Sequence, residues 1–463
     1  MSETFDLVVI GAGPAGLAAA AQAAELGLSA VVVDEQPEPG GQIYRAVERA
    51  TKGPAAAALG ADYAHGRQVV EAFRRSGAAY RPGLQVWQVE PSGEVLASDG
   101  QRSVAFAGRR ALVAVGATER PVPIPGWTLP GVMGVGAGQI LLKSSGMVPA
   151  GETWVVGSGP LPLLYMQQII AAGGRIAGYI DTTPAANGFL AAPHLSAALR
   201  NLPYLRKGLK LRGALRRSGI PGHRADAVEA AGDGRVERVR FRSGGTWHEK
   251  PCDLLLLHEG VVPNVHVTMA IGCAHEWDER QECFRPRLDE WGCTDIAAIL
   301  VAGDCGGIEG ARAAEARGRL VALGAAASLG RIDDATRDRM ARPLRRELRR
   351  HLPIRPFLDT LFRPRRGLTA PADAVIACRC ESVTAGQVRE TVRIGAVGPN
   401  QAKSFIRCGM GPCQGRMCGL TVTGIIAEAT GRTPAEVGFF RIRPPLKPLT
   451  LGELAALGED SGT

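Results

Sequence analysis

Residues 5–35 read FDLVVIGAGPAGLAAAAQAAELGLSAVVVDE. Phe5 to Ile10 is a short apolar run of the kind that forms a buried strand. The next six residues, Gly11-Ala12-Gly13-Pro14-Ala15-Gly16, open a helix that runs from about Pro14 to Gly27, and Ala30 to Val33 is a second strand ending in Asp34-Glu35. Each glycine has a physical reason. Gly11 permits the tight turn, Gly13 lets the backbone approach a pyrophosphate, and Gly16 lets helix pack on strand. The helix start, with Pro14 and Ala15 in its first turn, points N–H groups and a positive dipole end at the phosphates. Asp34 stands eighteen residues past Gly16, where an acid bonds a ribose hydroxyl, with Glu35 beside it. The apolar stretch Leu7–Leu28 is broken by the glycines and lacks a basic leader, so it is a strand and helix and not a membrane span.

Two further segments resemble the FAD-binding parts of disulfide-reductase-like flavoproteins. Pro39-Gly40-Gly41-Gln42-Ile43 is similar to the loop that runs along the ribityl chain, so the resemblance assigns Gly41 and Gln42 to the cofactor. Ile299-Leu300-Val301-Ala302-Gly303-Asp304, followed by Gly307-Ile308-Glu309-Gly310 and an alanine-rich helix, is similar to the second FAD motif. There Gly303 and Asp304 lie against the flavin, and the aspartate bonds a ribityl hydroxyl. The alternative for Asp304 is a plain turn aspartate. Ala111–Thr118 and Leu254–Asn264 resemble the two crossovers between the FAD and central domains. His258 and Glu259 end the second of these, where a cofactor role competes with a structural hydrogen bond.

Glu152–Val156 is again strand-like and leads into Gly157-Ser158-Gly159-Pro160-Leu161-Pro162, a helix and a strand ending at Asp181. This is a second Rossmann unit, in the place where two-domain flavoproteins bind NAD(P)H. Pro162 stands where the third glycine belongs and removes the small residue that close packing uses. No arginine pair follows to hold a 2′-phosphate. The expectation is a fold retained with nicotinamide binding lost, against a relaxed nucleotide site. No redox cysteine pair follows Gly40-Gly41 or occupies Pro130–Gly138, so thiol–disulfide chemistry at a flavin is disfavoured. Cys252, Cys273, Cys283 and Cys293 read as core or surface thiols, and Cys305 as a thiol beside Asp304.

The chain has 463 residues, enough for two to four domains, and 60 glycines with few aromatics, as suits an α/β dinucleotide-binding enzyme. Its charge of +9 is local, since eleven arginines lie between Arg337 and Arg366. No nucleic-acid motif accompanies them. A solvated helix face or a surface for an acidic partner subunit is the expectation. Five of the ten cysteines fall within 378–418, which points to metal ligation in a reducing compartment and not to disulfides. The expected location is the cytoplasm, with contact to the inner membrane only through a complex.

Those five are Cys378 and Cys380, in a C-x-C, and Cys408, Cys413 and Cys418 in Arg407-Cys-Gly-Met-Gly-Pro-Cys-Gln-Gly-Arg-Met-Cys418. A C-x-C with a C-x4-C offers four thiolates, which suit one tetrahedral zinc or one [2Fe–2S] cluster. The segment resembles the bacterioferritin-associated-ferredoxin-like [2Fe–2S] domain. That resemblance implies Cys378, Cys380, Cys413 and Cys418 as ligands and leaves Cys408 aside, since pairing 413 with 418 matches the family.

From Leu7 to about Leu451 the chain resembles the α subunit, carrying FAD and [2Fe–2S], of the bacterial family of D-hydroxyproline dehydrogenase, opine (octopine, nopaline) dehydrogenases and hydrogen cyanide synthase. Its specific marks are Gly41-Gln42-Ile43-Tyr44-Arg45, Gly126–Met133, His258–Asn264 and the Cys413 loop. The resemblance implies an α/β fold of two dinucleotide-binding domains with a small helical cluster domain. The expected parts are an FAD domain (1–125 and 266–330), a degenerate central domain (126–265), an Arg/Pro-rich linker (331–370) and the [2Fe–2S] domain (371–450). It also implies a partner β subunit whose own FAD oxidises an amino or imino acid, and a small ferredoxin-like [2Fe–2S] subunit. An FMN at a subunit interface is a further implied cofactor, and a quinone or other acceptor takes the electrons. No catalytic acid or base is assigned. Two other readings are a free-standing NAD(P)H-dependent reductase that feeds the cluster, and a scaffold whose first site holds another adenine nucleotide such as ATP.

Overall fold

The computed structural model describes residues 3–53 and 55–459. The apolar run Leu7–Val9 is fully buried, as befits a strand covered on both faces of a parallel sheet. This strand, Glu3–Ile10, lies between Ala30–Asp34 and Ser103–Val113, with Val8 in register with both Val31 and Ala111. Ala79–Pro82 extends the sheet on one side. Gln85–Val89 and Glu94–Ser98 extend it on the other as an antiparallel ribbon. The seventh strand comes from far along the chain: Ile299–Val301 pairs in parallel with Ala111–Val113. The FAD-type domain is therefore assembled from two separated pieces, with the central domain inserted between them.

The helix that follows each nucleotide motif packs on the other. Pro14–Glu25 and Ala311–Ser328 are alanine-rich and approach closely. A Cβ built on Gly318 would lie 2.1 Å from the Ala15 carbonyl oxygen, and one on Gly303 would lie 2.8 Å from the Ala15 Cβ.

The central domain is a five-stranded parallel sheet in the order 222–224, 178–181, 153–158, 254–259, 132–134, with an antiparallel ribbon of three strands (227–231, 238–243, 246–251) beside it. The two crossovers pair with each other, Ala117–Glu119 against Val261–Pro263. Between Asp181 and Gly222 runs an almost continuous series of helical segments from Ala185 to Arg217.

Residues 331–370, read from composition as a linker, carry two helices, Asp334–His351 and Arg355–Leu361. The first is capped by Asp333, whose side chain accepts from the Thr336 amide, and its Leu344 and Leu348 pack with Leu320 and Leu323 of the preceding helix. Much of the arginine run is satisfied inside the chain. Arg337 pairs with Asp334 and Asp338, Arg345 with Glu290, Arg355 with Asp359 and Arg363 with Glu282. Arg337 and Arg345 also stack over Trp291 at 4.3 and 4.8 Å. With Arg365 near Glu259, five of the eleven arginines have a carboxylate partner, while Arg339, Arg342, Arg346, Arg349 and Arg350 stand exposed on the helix, as a solvated face expects; the Arg366 side chain lies outside the described residues.

The C-terminal unit begins with a small hairpin, Ile376–Cys378 against Val383–Thr384, and continues as short helices between cysteine loops. The helices at 385–393 and 434–437 start with capping boxes, Thr384 with Gln387 and Thr433 with Glu436. This unit is not tethered loosely. Val422, Ile425 and Ile426 belong to the same apolar cluster as Val8, Ile10, Val31 and Val33 of the first sheet. Trp127 Nε1 donates to the Ile376 carbonyl (2.7 Å), and Leu446 N donates to the Trp87 carbonyl (2.7 Å).

Gly318 supplies a test of the packing. Alanine favours a helix interior over glycine by about 1 kcal/mol, yet here its methyl would collide with a fixed backbone carbonyl. Gly318→Ala should lower stability by about 1–3 kcal/mol in urea unfolding; a rise in the midpoint would show that the two helices are free to separate.

Candidate cofactor sites

The Gly11–Gly16 turn is built by close approach. Gly11 has φ +104°, and a Cβ there would lie 2.6 Å from the Ala114 carbonyl oxygen; one on Gly16 would lie 2.0 Å from the Gly11 carbonyl oxygen. Gly13 differs, since nothing of the chain comes within 4 Å of its missing Cβ. The open space at Gly13 fits the close approach of a pyrophosphate to the backbone. Pro14 takes the first helical position, which leaves the Ala15 and Gly16 amides to face it. The Gly40–Gln42 loop closes over this turn. Gly40 N donates to the Ala12 carbonyl (2.8 Å), and a Cβ on Gly41 would lie 2.8 Å from Gly13 Cα.

Asp34 is tied to the turn, with one carboxylate oxygen accepting from Ala12 N (2.6 Å) and the other from Gln36 N (2.7 Å). Glu35 is contacted by Lys447, so the C-terminal tail reaches the ribose end of the site. Nearby Glu38 Oε2, Arg45 Nε and the Tyr80 hydroxyl are buried with no hydrogen-bond partner among the described residues. Asn264 Oδ1 is likewise unpartnered, beside the other crossover, where Asn264 N donates to the Gly116 carbonyl (3.0 Å). Buried polar atoms of this kind call for an external partner. Asp304 is half-buried, and one oxygen, Oδ1, accepts from both Glu309 N and Gly310 N (3.0 Å each) at the start of the alanine-rich helix. Asp304 thus has a structural duty as well, and its Oδ2 has no hydrogen-bond partner among the described residues. These features fit a flavin dinucleotide lying from Asp34 to Asp304. Cys305 is a different matter. It donates to the Val113 and Ala302 carbonyls and burial pushes its thiol up to about 12, so it is inert.

In the second turn a Cβ on Gly157 would lie 1.7 Å from the His258 carbonyl oxygen, so the tight turn against the neighbouring strand end is kept, with Pro162 buried in the helix that follows. What the turn lacks is donors. The helix begins at Pro160, and Pro162 is also in its first turn, so two of the first three residues have no N–H. The strand ends are also occupied. Glu259, 1% exposed, accepts from Ser158 Oγ (3.1 Å) and Thr182 Oγ1 (2.7 Å), with Arg365 Nε 3.6 Å away. Asn187 Nδ2 holds the Leu361 and Arg363 carbonyls beside them. His258 Nδ1 bonds Glu119 (2.6 Å), which also accepts from Gly136 N, a structural tie between crossover and helix start.

The cysteine loops bring five sulfurs together in two groups. The Sγ atoms of Cys378, Cys408 and Cys418 lie within 4.8 Å of one another, all buried. Cys408, set aside on the sequence, is a full member of this trio. The thiols of Cys408 and Cys418 and the backbone around Gly409 and Glu381 hydrogen-bond to Cys378 and hold it far below the ordinary thiol range. Cys380 and Cys413 bond to each other nearer the surface. Gly411 is small for a reason, since a Cβ there would lie 2.3 Å from that of Cys380. Spacing alone does not choose among the loop cysteines, because 408–413 is a C-x4-C as well as 413–418. The donor set fits a thiolate-ligated cluster, with backbone N–H groups aimed at sulfur.

Lys143 also escaped the sequence reading. It is 5% exposed and donates to Gln139 Oε1 (2.8 Å) and to the Gln42 carbonyl (3.2 Å), with no carboxylate partner among the described residues. Burial, aided by Arg45, pulls its pKa down to about 7. The unfolded chain therefore binds more protons between that pH and the ordinary lysine value near about 10.4, and stability rises with pH across this window. Lys143→Met should be more stable than the parent at pH 7, with the difference shrinking by about pH 9.5 in thermal melts. A constant difference would show that Lys143 stays protonated throughout.

The pyridine nucleotide-disulphide oxidoreductase family profile matches residues 5–318, and the sarcosine oxidase A3 domain profile matches 378–458. An opine oxidase subunit of Rhizobium meliloti (strain 1021) is 46% identical over 98% of this chain and 99% of its own length. Hydrogen cyanide synthase subunit HcnB of Pseudomonas aeruginosa is 34% identical over 98% and 99%. L-Proline dehydrogenase from P. horikoshii shares the fold, with TM-score 0.70 at 19% identity over 98% of this chain and 80% of that one. Matched along its whole length, the chain belongs to the family of these opine oxidase and hydrogen cyanide synthase subunits, oxidoreductase components of multisubunit flavin oxidases and dehydrogenases built on an FAD-binding fold.

Proposed function

We propose that this chain is the electron-transfer subunit of a dehydrogenase that oxidises the C–N bond of an amino or imino acid or an opine, of the D-hydroxyproline, octopine or nopaline type. The observation that carries this reading is the cysteine cluster packed on the outer face of the FAD-type sheet, in a chain with no redox thiol pair at its crossovers and a proline-blocked second turn. Neither a dithiol nor a nicotinamide then has a built entry to the flavin, and the cluster is the remaining route.

Oxidation of a CH–NH bond to C=N releases two electrons and two protons, a hydride from carbon and a proton from nitrogen, and the FAD of a partner β subunit would take up the hydride. Bound here, a flavin and a one-electron [2Fe–2S] centre would supply exchange between paired and single electrons. The chain's part is to hold them. Gly13, Gly41 and the Ala15 and Gly16 amides cradle the pyrophosphate. Asp34 and Glu35 would hold the ribose, Gln42 and Gly303 would line the ribityl chain, and Asp304 Oδ2 would be free to accept from a hydroxyl of it. Cys378 and Cys418 ligate from within and Cys380 and Cys413 from the surface side, with Cys408 the competing inner donor. A quinone or other acceptor and a small ferredoxin-like subunit complete the route.

Two measurements test this. The complex purified anaerobically with its partner subunits should reduce a dye when octopine, nopaline or D-hydroxyproline is added, and NADH or NADPH should leave its visible spectrum unchanged while dithionite bleaches it. Stoichiometric bleaching by either nucleotide would instead make the chain an NAD(P)H-dependent reductase. Cys418→Ser should abolish bound iron and acid-labile sulfide. Cys408→Ser should retain both; loss of both would move the ligand set to the buried trio.

A further inference from the structure

The helical run from Ala185 to Arg217 has a surface that nothing in the chain covers. Phe189 is 84% exposed, Leu190 57%, Leu199 51% and Leu209 69%, and Leu195 and Leu202 are also exposed. Leu195 and Leu199 are four residues apart in consecutive helical turns. Leu202 and Leu209, seven apart, share one face of the helix Leu202–Arg217. The opposite side of that helix is spoken for. Leu211 is buried in the central core, and Tyr204 bonds His351. Apolar side chains left exposed along successive helical segments mark an interaction surface.

The charge of the same segment is one-sided. From Thr182 to Ala225 there is no aspartate or glutamate, while eight arginines and lysines occur, every one exposed. Among the described residues only Lys207 of these has a carboxylate partner, Asp62. In the Arg337–Arg365 run, by contrast, five of ten arginines have internal carboxylate partners. We infer that the Ala185–Arg217 face docks on an anionic lipid surface, with the leucines and Phe189 at the acyl boundary and Arg206, Lys210, Arg216 and Arg217 against the headgroups. Leucines interleaved with long cationic side chains suit an interface where aliphatic stems lie among lipid and charged ends reach water. Attachment is peripheral, since no helix among the described residues is long and apolar enough to cross a membrane. This inference goes beyond the function proposed above and stands without it.

The test is co-sedimentation of the purified complex with vesicles of phosphatidylcholine alone or mixed with phosphatidylglycerol. Binding to the mixed vesicles at low salt, and release at high salt, is the expected result. Replacing Arg206 and Lys210 together by glutamine should weaken that binding by about fivefold for each cation removed. Leu202→Ser with Leu209→Ser should weaken it further, with the flavin spectrum and subunit composition retained as the check on folding. The inference is overturned if the complex ignores the mixed vesicles, or if both variants bind as the parent does. It is equally overturned if the leucine variant sheds a partner subunit in size-exclusion chromatography while vesicle binding is unchanged, which would assign the face to a subunit contact.

Discussion

The pairing of Ile299–Val301 with Ala111–Val113 is the contact on which the rest of the molecule depends. It closes a loop that contains the whole central domain, and loop closure of that length carries an entropic cost which only a well-packed result can offset. The packing is supplied by the helices on either side. Ala15 is pressed against Gly303 and Gly318, so the start of the first helix and the second motif are fixed relative to each other within a backbone contact distance. Asp304 reaches the same crevice as Gly13 for that reason, although nearly three hundred residues separate them. The paired crossovers at 117–119 and 261–263 then set the central domain against the finished site.

Two turns of nearly the same sequence have come to different ends. In each, the first glycine sits where a Cβ would strike a carbonyl of the neighbouring strand end, so the architecture is preserved. The difference lies in what each turn offers outward. At Gly13 the space is open and the amides of Ala15 and Gly16 are available. At the second turn Pro160 and Pro162 withdraw N–H groups, and the buried Glu259 holds Ser158, Thr182 and Arg365 across the strand ends. A carboxylate at that depth needs the cation and the hydroxyls around it, so the segment carrying Arg365 is part of the central domain's structure. The charge that composition assigns to a linker is in this way partly consumed in covering a crevice.

The cysteine unit shares its core with the first sheet, which places the sulfur loops on the flavin domain and not at the end of a flexible arm. Phe440 lies against both Gly409 and Gly415, each with φ above +80°, so one ring shapes both bends of the second loop. The tail beyond it returns to Trp87 and Ser98 and brings Lys447 to Glu35. One stretch of seventy residues, 378–447, therefore touches both the sulfur loops and the Glu35 end of the nucleotide site.

By itself the sequence determined the elements whose cause is local: the strand–turn–helix starts, the glycines at each bend, the prolines of the second turn, and the two cysteine loops. These are legible because a turn geometry or a missing N–H is a property of a few adjacent residues. Tertiary structure decided what depends on approach between distant segments. Cys408 joins Cys378 and Cys418 because the hairpin at 376–384 folds onto the second loop. Lys143 lies beneath the Gln42 carbonyl because a central-domain helix packs there. Half of the ten arginines of 337–365 are paired, whereas among the described residues none of those of 200–217 is, because acids come to the first set from its own helices and from Glu282, Glu290 and Glu259 and none comes to the second. Charge in a sequence is a sum, and only the folded chain determines which of its cations have found a partner.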